Sequence, residues 1–286
     1  MRAKAFCPGH VTGLFQICPA KDLIAMGSRG AGMCLSLGAT SKVRVSRSGK
    51  QTIDVVIDGH PSRAEVTRTA VRNLLGDEKL AVSVETRLDL PVSQGFGMSA
   101  AGSLSSALAL ADLTGRDRHS AFEAAHKAEI QCGAGLGDVS AIHKGGITIR
   151  KEPGLPPVGK VLRIDGAPEI ILAVVGRPIR TKNVLGNPVK RKAINRSGQR
   201  LVRRLLKEPT LDLLMELSAT FAIESGLVTK RLSTAMAAAS RFGHGSMAML
   251  GNSVFSVGDV RGLRSVLSEY GSVYSCQVDL EGPRLL

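Results

Sequence analysis

Between a strand-like run, Leu80 to Leu88, and a small-residue segment, Ser99 to Leu113, lies Pro91-Val92-Ser93-Gln94-Gly95-Phe96-Gly97-Met98-Ser99-Ala100-Ala101. This succession constrains the fold more than any other feature of the chain. Two glycines just before a helix start let the backbone approach a bound group closely. The helix then turns its unpaired N–H groups and positive dipole end toward that group. Strand, glycine turn and helix N-terminus together make an anion cradle, whose usual guest is a polyphosphate. A Gly-x-Gly turn by itself often does no more than reverse the chain. The proline, the three-residue spacer and the Ser-Ala-Ala continuation are what make this one specific.

The chain has 286 residues, enough for one large domain or two ordinary ones with proper cores. Apolar residues make up 43% and charged residues 22%, the balance of a globular rather than a disordered chain. No apolar run approaches the ~20 residues that a membrane helix needs. The first residues, Met1 to Phe6, form no apolar signal region, so a cytoplasmic protein without membrane attachment is expected. Five cysteines, none in a Cys-x-x-Cys pair, argue against a zinc knuckle or a disulfide framework and fit a reducing compartment.

The formal charge of +14 raises nucleic acid as a partner, but its distribution argues otherwise. Eleven basic residues, Arg177 to Lys207, occupy a stretch with no acidic residue. Removing them from the 38 leaves 27 basic against 24 acidic residues. With 3% aromatic residues and no Trp, there is little on which to stack unpaired bases. A local funnel for a small anion suits these numbers better. Arg200, Arg203, Arg204 and Lys207 recur at helical spacing opposite Leu201, Val202, Leu205 and Leu206, and read as a solvated helix face.

The first half reads as β-rich. Strands are expected at Arg2–Cys7, Met33–Leu37, Lys42–Ser46, Thr52–Ile57, Leu80–Leu88 and Gly146–Arg150, with helices at about 63–75, 99–113 and 120–131. Glu152 to Pro157 has the chemistry of a linker or exposed turn. Beyond it a short apolar strand, Glu169–Val175, precedes helices at about 189–207, 211–225 and 229–240. Strands 247–250 and 253–257, a helix 260–270 and a last strand 272–278 complete the order, which suggests a split β-α-β arrangement of sheet on helices.

Several side chains stand where chemistry is possible. Ser99 follows the glycines, where its hydroxyl either completes a magnesium shell or caps the helix. Glu129 precedes the loop Gly133-Ala134-Gly135-Leu136-Gly137, which ends in Asp138. Two carboxylates near a phosphate cradle can divide their work, one holding a hard cation and one orienting or deprotonating an attacking hydroxyl. Gly-Asp alone is more often a turn. His126 lies three residues before Glu129 on the same helix face, as a ligand or as a surface or capping histidine. Arg150 ends a strand after Gly145-Gly146. It is either a solvated strand end or a bidentate grip on a carboxylate. Pro8-Gly9-His10 reads as a hairpin turn, and Ser28 as part of a mobile glycine-rich loop, Gly27 to Gly32, able to close over a bound molecule.

Together these stretches resemble the GHMP kinase superfamily. Pro8-Gly9 is similar to its first motif, and Pro91 to Ala101 to its phosphate loop, with Met98 in place of the first of two usual serines and Phe96 in place of a leucine. Gly137-Asp138 ahead of Gly145-Gly146 resembles the segment of its catalytic aspartate, and Gly243 to Ser253 stands where its third, glycine-rich motif belongs.

The resemblance implies an α+β fold in two parts, a β-rich N-terminal domain over residues 1–155 and a ferredoxin-like domain over 156–286. Pro91, Gly95, Phe96, Gly97, Met98, Ser99, Ala100, Ala101 and Gly102 are implied to hold ATP, Ser99 and Glu129 to hold Mg²⁺, and Asp138 to act as base. Within the superfamily the pattern is most similar to the archaeal pantoate kinases, on pieces that include Gly27-Ser28-Arg29-Gly30, Arg180-Thr181-Lys182 and Met249 to Ser253. That implies pantoate as acceptor, held by Ser28, His126 and Arg150, on a route to coenzyme A. A homodimer is expected by analogy, and kinases of homoserine, mevalonate or shikimate are the nearest rivals.

Overall fold

The computed structural model describes every residue except Arg180, so that residue of the Arg180-Thr181-Lys182 piece lies outside the described residues. The N-terminal part runs β1 (Arg2–Cys18), β2 (Gly27–Arg47), β3 (Thr52–Ile57), β4 (His60–Pro61), α1 (Glu65–Leu75), β5 (Leu80–Leu88), α2 (Met98–Thr114), α3 (Arg118–Cys132), α4 (Asp138–Ile142), β6 (Ile147–Glu152) and β7 (Lys160–Ile164). The rest runs β8 (Glu169–Val174), α5 (Thr181–Leu185), α6 (Pro188–Lys207), α7 (Leu211–Glu224), α8 (Lys230–Ala239), β9 (Gly243–Met247), β10 (Ser253–Gly258), α9 (Val260–Ser268), β11 (Ser272–Gln277) and β12 (Arg284–Leu285).

Two sheets result. In the first the order is β12-β1-β2-β5-β3-β4, with β6 on the early part of β2 and β7 on β6. The chain past Pro157 thus returns twice to this sheet, through Lys160–Ile164 and through Arg284–Leu285. The second sheet is antiparallel throughout, in the order β11-β8-β10-β9. Its strands alternate with helices as β-α-β-β-α-β, the split β-α-β arrangement of the expected α+β fold.

Two sequence expectations need correction. Pro8-Gly9 is not a hairpin turn: β1 runs unbroken for 17 residues beside β2, and the irregularity takes the form of bulges at Pro8/Gly9 and Thr12/Leu14. Nor is Gly27 to Gly32 a mobile loop. It is the start of β2, paired with β1, and Ser28 within it is buried. Its glycines serve close approach, since a Cβ at Gly32 would stand 2.0 Å from the Val11 carbonyl oxygen. The runs expected at 33–37 and 42–46 are parts of this same long strand.

Helix α2 is buried on every side, which its run of Ala, Ser and Gly permits, because small residues let a sheet and neighbouring helices close on one backbone. Ser105 and Ser106 join Ser41 and Thr86 in a buried hydroxyl cluster, so the polar atoms of this helix find partners in the sheet. In the C-terminal part, α6 and α7 pack on β1, and α7 packs also on β9, which joins the two sheets. Phe15 of β1 meets Phe221 of α7 edge to face, with centroids 5.5 Å apart. The solvated face read on α6 pairs with α7, Arg200 with Glu224 and Arg204 with Glu216 at 3.1 Å.

Close docking of α6 on β1 rests on Gly198, where a Cβ would stand 1.9 Å from the Phe15 carbonyl oxygen. Replacing a mid-helix Gly by Ala ordinarily gains up to ~1 kcal/mol of helix propensity. Here the clash is with backbone, and overpacking costs about 1–3 kcal/mol. Gly198→Ala is therefore expected to lower the denaturant midpoint, and a raised midpoint would refute the packing argument.

Candidate active site

The loop before α2 is held from two sides. From β1, the His10 backbone N–H donates to the Phe96 carbonyl at 2.9 Å. From the C-terminal part, the Gln94 side chain donates to the Gly176 carbonyl at 2.9 Å, the Ile179 N–H donates to the Ser93 carbonyl at 3.0 Å, and the Ser253 hydroxyl donates to the Gln94 carbonyl. Contact between the loop and residues 248–251 leaves no room for side chains: a Cβ at Gly95 would lie 2.3 Å from the Ala248 carbonyl oxygen, and one at Gly251 would lie 2.0 Å from the Gln94 carbonyl carbon. Gly95 and Gly97 have φ of 80° and 67°, the left-handed region that glycine enters without penalty. No side chain caps the first turn of α2, so its N–H groups remain available to an anion.

A cleft of about 1250 Å³ opens over this loop, and Gly95, Phe96, Gly97, Met98, Ser99, Glu129 and Asp138 line it. Pro91, Ala100, Ala101 and Gly102 are not among its lining residues. Ala100, Ala101 and Gly102 are buried in the first turns of α2, where a contribution to anion binding comes from backbone. Met249 and Leu250, from the third glycine-rich stretch, line the cleft as well.

Ser99 of α2 and Glu129 of α3 come together on the wall of this cleft. Burial, then the nearby negative charge of Asp138, pushes the Glu129 carboxyl up to about 8, against the pull of the Ser99 hydroxyl nearby. Its Oε1 is buried with no partner among the described residues, and Gly135 leaves its other oxygen uncrowded, since a Cβ there would meet Oε2 at 2.0 Å. An orphaned carboxylate oxygen beside a hydroxyl and a phosphate cradle is a donor set that fits Mg²⁺, which characteristically takes one or two protein oxygens and completes its shell with phosphate and water. Among the described residues no group of three or more His, Cys, Asp or Glu side chains could hold a metal, so such an ion would need oxygens from a bound polyphosphate.

Asp138 begins α4 and lies at the junction with a second, smaller cleft of about 410 Å³. Its Oδ1 is 2.9 Å from His10 Nδ1 and accepts from the Thr12 hydroxyl at 3.5 Å. Burial works to raise the Asp138 pKa, but the His10 hydrogen bond, with the charge of Arg150 and the Thr12 hydroxyl, outweighs it and holds the carboxyl below its ordinary range. Its charge is therefore present at neutral pH. The two carboxylates are driven apart, one toward its neutral form and one toward its anion, which marks distinct roles.

Arg150, from β6, is 2% exposed and lines the smaller cleft. Its Nη2 donates to the Thr12 hydroxyl at 3.5 Å, whereas Nε and Nη1 have no partner among the described residues. The solvated strand end is thus excluded. Gly137 keeps open the space between this guanidinium and Ser28, for a Cβ there would stand 2.3 Å from Ser28 Oγ and 2.7 Å from Arg150 Nε. The same cleft has an apolar side built from Phe15, Leu136, Leu185, Met249 and Leu250. His126 lines neither cleft. Its Nε2 lies 3.1 Å from both the Leu23 and Met26 carbonyls, so it tethers α3 to the connection that leads into Ser28.

Sequence reasoning passed over His10 and Thr12, which the hairpin reading placed in a turn. The only signal was their alternation on one face of a strand, two residues apart, and that pattern does not reveal a partner 126 or 128 residues away.

The chain as a whole is similar to known proteins. The GHMP kinases N-terminal domain model matches residues 64–146. A pantoate kinase from Methanospirillum hungatei is 34% identical over the whole of this chain and 96% of its own length, and one from Methanocaldococcus jannaschii is 30% identical over 96% of this chain and 99% of its own. A solved phosphotransferase related to the coenzyme A biosynthesis pathway superposes with a TM-score of 0.91 at 30% identity, covering all of this chain and 99% of the other.

A carboxyl that prefers its proton in the folded state loses stability as that proton leaves. In metal-free protein, the share of stability due to Glu129 is present below the ordinary 4.5 of a glutamate and lost as pH rises through about 8. Glu129→Gln is expected to flatten the fall in melting temperature over that window in the presence of chelator. A slope unchanged by the substitution would count against a buried, cation-free carboxylate.

Proposed function

From its membership of the pantoate kinase family, within the GHMP kinases, we propose that this chain moves the γ-phosphoryl group of ATP to the primary hydroxyl of pantoate, giving 4-phosphopantoate on a route to coenzyme A. The observation that carries the reading is Arg150: a buried guanidinium with unpartnered nitrogens in a small cleft, beside an ionised aspartate and next to a phosphate cradle. A charge buried at such cost calls for an anionic partner, and a hydroxy-acid brings one.

The roles divide along the two clefts. Backbone N–H groups from Gly95 to Ala101 bind the β- and γ-phosphates. Ser99 and Glu129 are the residues to hold Mg²⁺, which when bound screens the charge on the phosphates. Asp138 accepts the proton of the acceptor hydroxyl on Oδ2, the oxygen that His10 and Thr12 leave free. Arg150 grips the carboxylate with the Ser28 hydroxyl beside it, and the apolar side faces the two methyl groups of pantoate. His126 acts at one remove, by fixing the chain that carries Ser28. Holding an acyclic substrate in line with the γ-phosphorus replaces rotamer searching with one oriented pose.

The same features weigh against homoserine. A zwitterion needs a carboxylate for its ammonium group, and the carboxylate lining the smaller cleft, Asp138, has one oxygen bonded to His10 and the other assigned to the acceptor hydroxyl. Two copies of the chain in the cytoplasm belong to the same reading, by likeness to a superfamily that often forms dimers.

A coupled assay of ADP release with a panel of small hydroxy-acids tests the proposal: pantoate should turn over fastest, and a clear preference for homoserine, mevalonate or shikimate would overturn it. Asp138→Asn is expected to lower kcat by about 10²–10⁴ with little change in ATP binding. Arg150→Ala should raise the KM for pantoate by about 10- to 100-fold, the worth of one charged hydrogen-bonded contact, and leave the KM for ATP within a few-fold. Ser99→Ala should shift the magnesium dependence of activity to higher concentration, and an unchanged curve would return Ser99 to a role in capping.

A further inference from the structure

We propose that His10 is a positioning residue for the phosphoryl transfer, a neutral imidazole protonated on Nδ1 that fixes the orientation of Asp138 while its own backbone fixes the phosphate loop. The inference rests on the kinase reading, and it concerns a residue to which that reading gives no chemistry.

One residue makes both connections. The His10 backbone N–H donates to Phe96 in the phosphate loop at 2.9 Å, and its Nδ1 lies 2.9 Å from Asp138 Oδ1. The spacing between the loop that holds the phosphates and the carboxylate that takes the proton therefore passes through a single residue of β1. Bulges on either side, at Pro8/Gly9 and Thr12/Leu14, shift the register in which this short segment pairs with β2.

The place of the proton follows from the surroundings. An unprotonated Nδ1 would set its lone pair against an anionic oxygen, which is repulsive at this distance. A doubly protonated ring would bury a charge near Arg150 and leave an Nε2 proton without an acceptor, because Nε2 has no partner among the described residues. The neutral ring with hydrogen on Nδ1 avoids both costs. It leaves one bare lone pair, at the edge of the ring packed over Gly32.

Two donors then hold Oδ1, His10 and Thr12, and Thr12 in turn accepts from Arg150 at 3.5 Å. The carboxylate cannot rotate without losing both bonds, so Oδ2 stays directed to the acceptor hydroxyl. Arg150, on the far side of Thr12, joins the same network, which couples the grip on the substrate to the aim of the base.

Three substitutions separate this role from simple packing. Asparagine places an amide N–H where Nδ1 stands, glutamine places one where Nε2 stands, and leucine fills the volume with no donor. With each protein shown to be folded by its thermal transition, His10→Leu is expected to lower kcat by about 10²-fold, in the range for loss of one oriented hydrogen bond in a catalytic network, with the KM for ATP within about threefold of the parent. His10→Asn should recover kcat to within about tenfold of the parent. If leucine at this buried position prevents folding, His10→Gln takes its place as the variant without a donor toward Asp138. The proposal is overturned if the donor-less variant keeps its kcat, or if His10→Asn falls as far as that variant. Loss of all pantoate turnover in the unsubstituted protein would overturn the kinase reading instead, so the two failures are distinct.

Discussion

Everything at this site depends on how the phosphate loop is gripped. Its backbone meets β1 at the bond from His10 to Phe96, and it meets residues 248–251 so closely that neither Gly95 nor Gly251 could carry a side chain. A loop that presents N–H groups to an anion has few internal hydrogen bonds to stiffen it, and unpaired donors alone do not hold a shape. Rigidity must come from outside. Here it comes from both parts of the molecule at once, with Gln94 reaching to Gly176 and Ser253 reaching to Gln94. The second sheet, whose strands all follow β7 in sequence, is thereby a structural component of the larger cleft.

The same clamp explains why two clefts with different chemistry can adjoin. The larger one is lined by backbone, hydroxyls, carboxylates and Lys182, which suits a polyphosphate with a hard cation. The smaller one combines a buried cation with an apolar wall, which suits a short branched acid. Asp138 belongs to both. Its low pKa, and the raised pKa of Glu129, come from one asymmetry. Asp138 has His10, Thr12 and Arg150 around it, whereas Glu129 has burial and a neighbouring negative charge to contend with. Neighbouring carboxylates that would otherwise titrate alike are thus held to opposite protonation preferences.

Burial of Arg150 has a structural cost that a stability argument alone does not justify. A guanidinium with two unpartnered nitrogens is destabilising unless something answers it. The groups around it, Gly30 and Gly137, are small, which leaves space beside the guanidinium open. Stability given up at this position accords with the role proposed for Arg150, binding an anion that must leave again.

Much of this was written in the chain's local pattern. The glycine turn before a small-residue helix, Ser99 after it, the Glu129 to Asp138 segment and the order of elements after Glu169 are short-range features, and short-range features survive in sequence because their geometry is set by neighbours a few residues away. The long β1–β2 pair was not legible. Pro8-Gly9 and the glycines from 27 to 32 carry the chemistry of turns, and only tertiary packing shows that they serve bulges and backbone contact across strands. Arg150 in sequence could also be a solvated strand end, and His126 a surface or capping histidine. What separated them was burial and the identity of partners more than 100 residues distant. The amino-acid order determined which groups could do chemistry. The folded chain decided which of them meet, because a hydrogen bond such as that from His10 to Asp138 joins residues whose separation along the chain leaves no local trace.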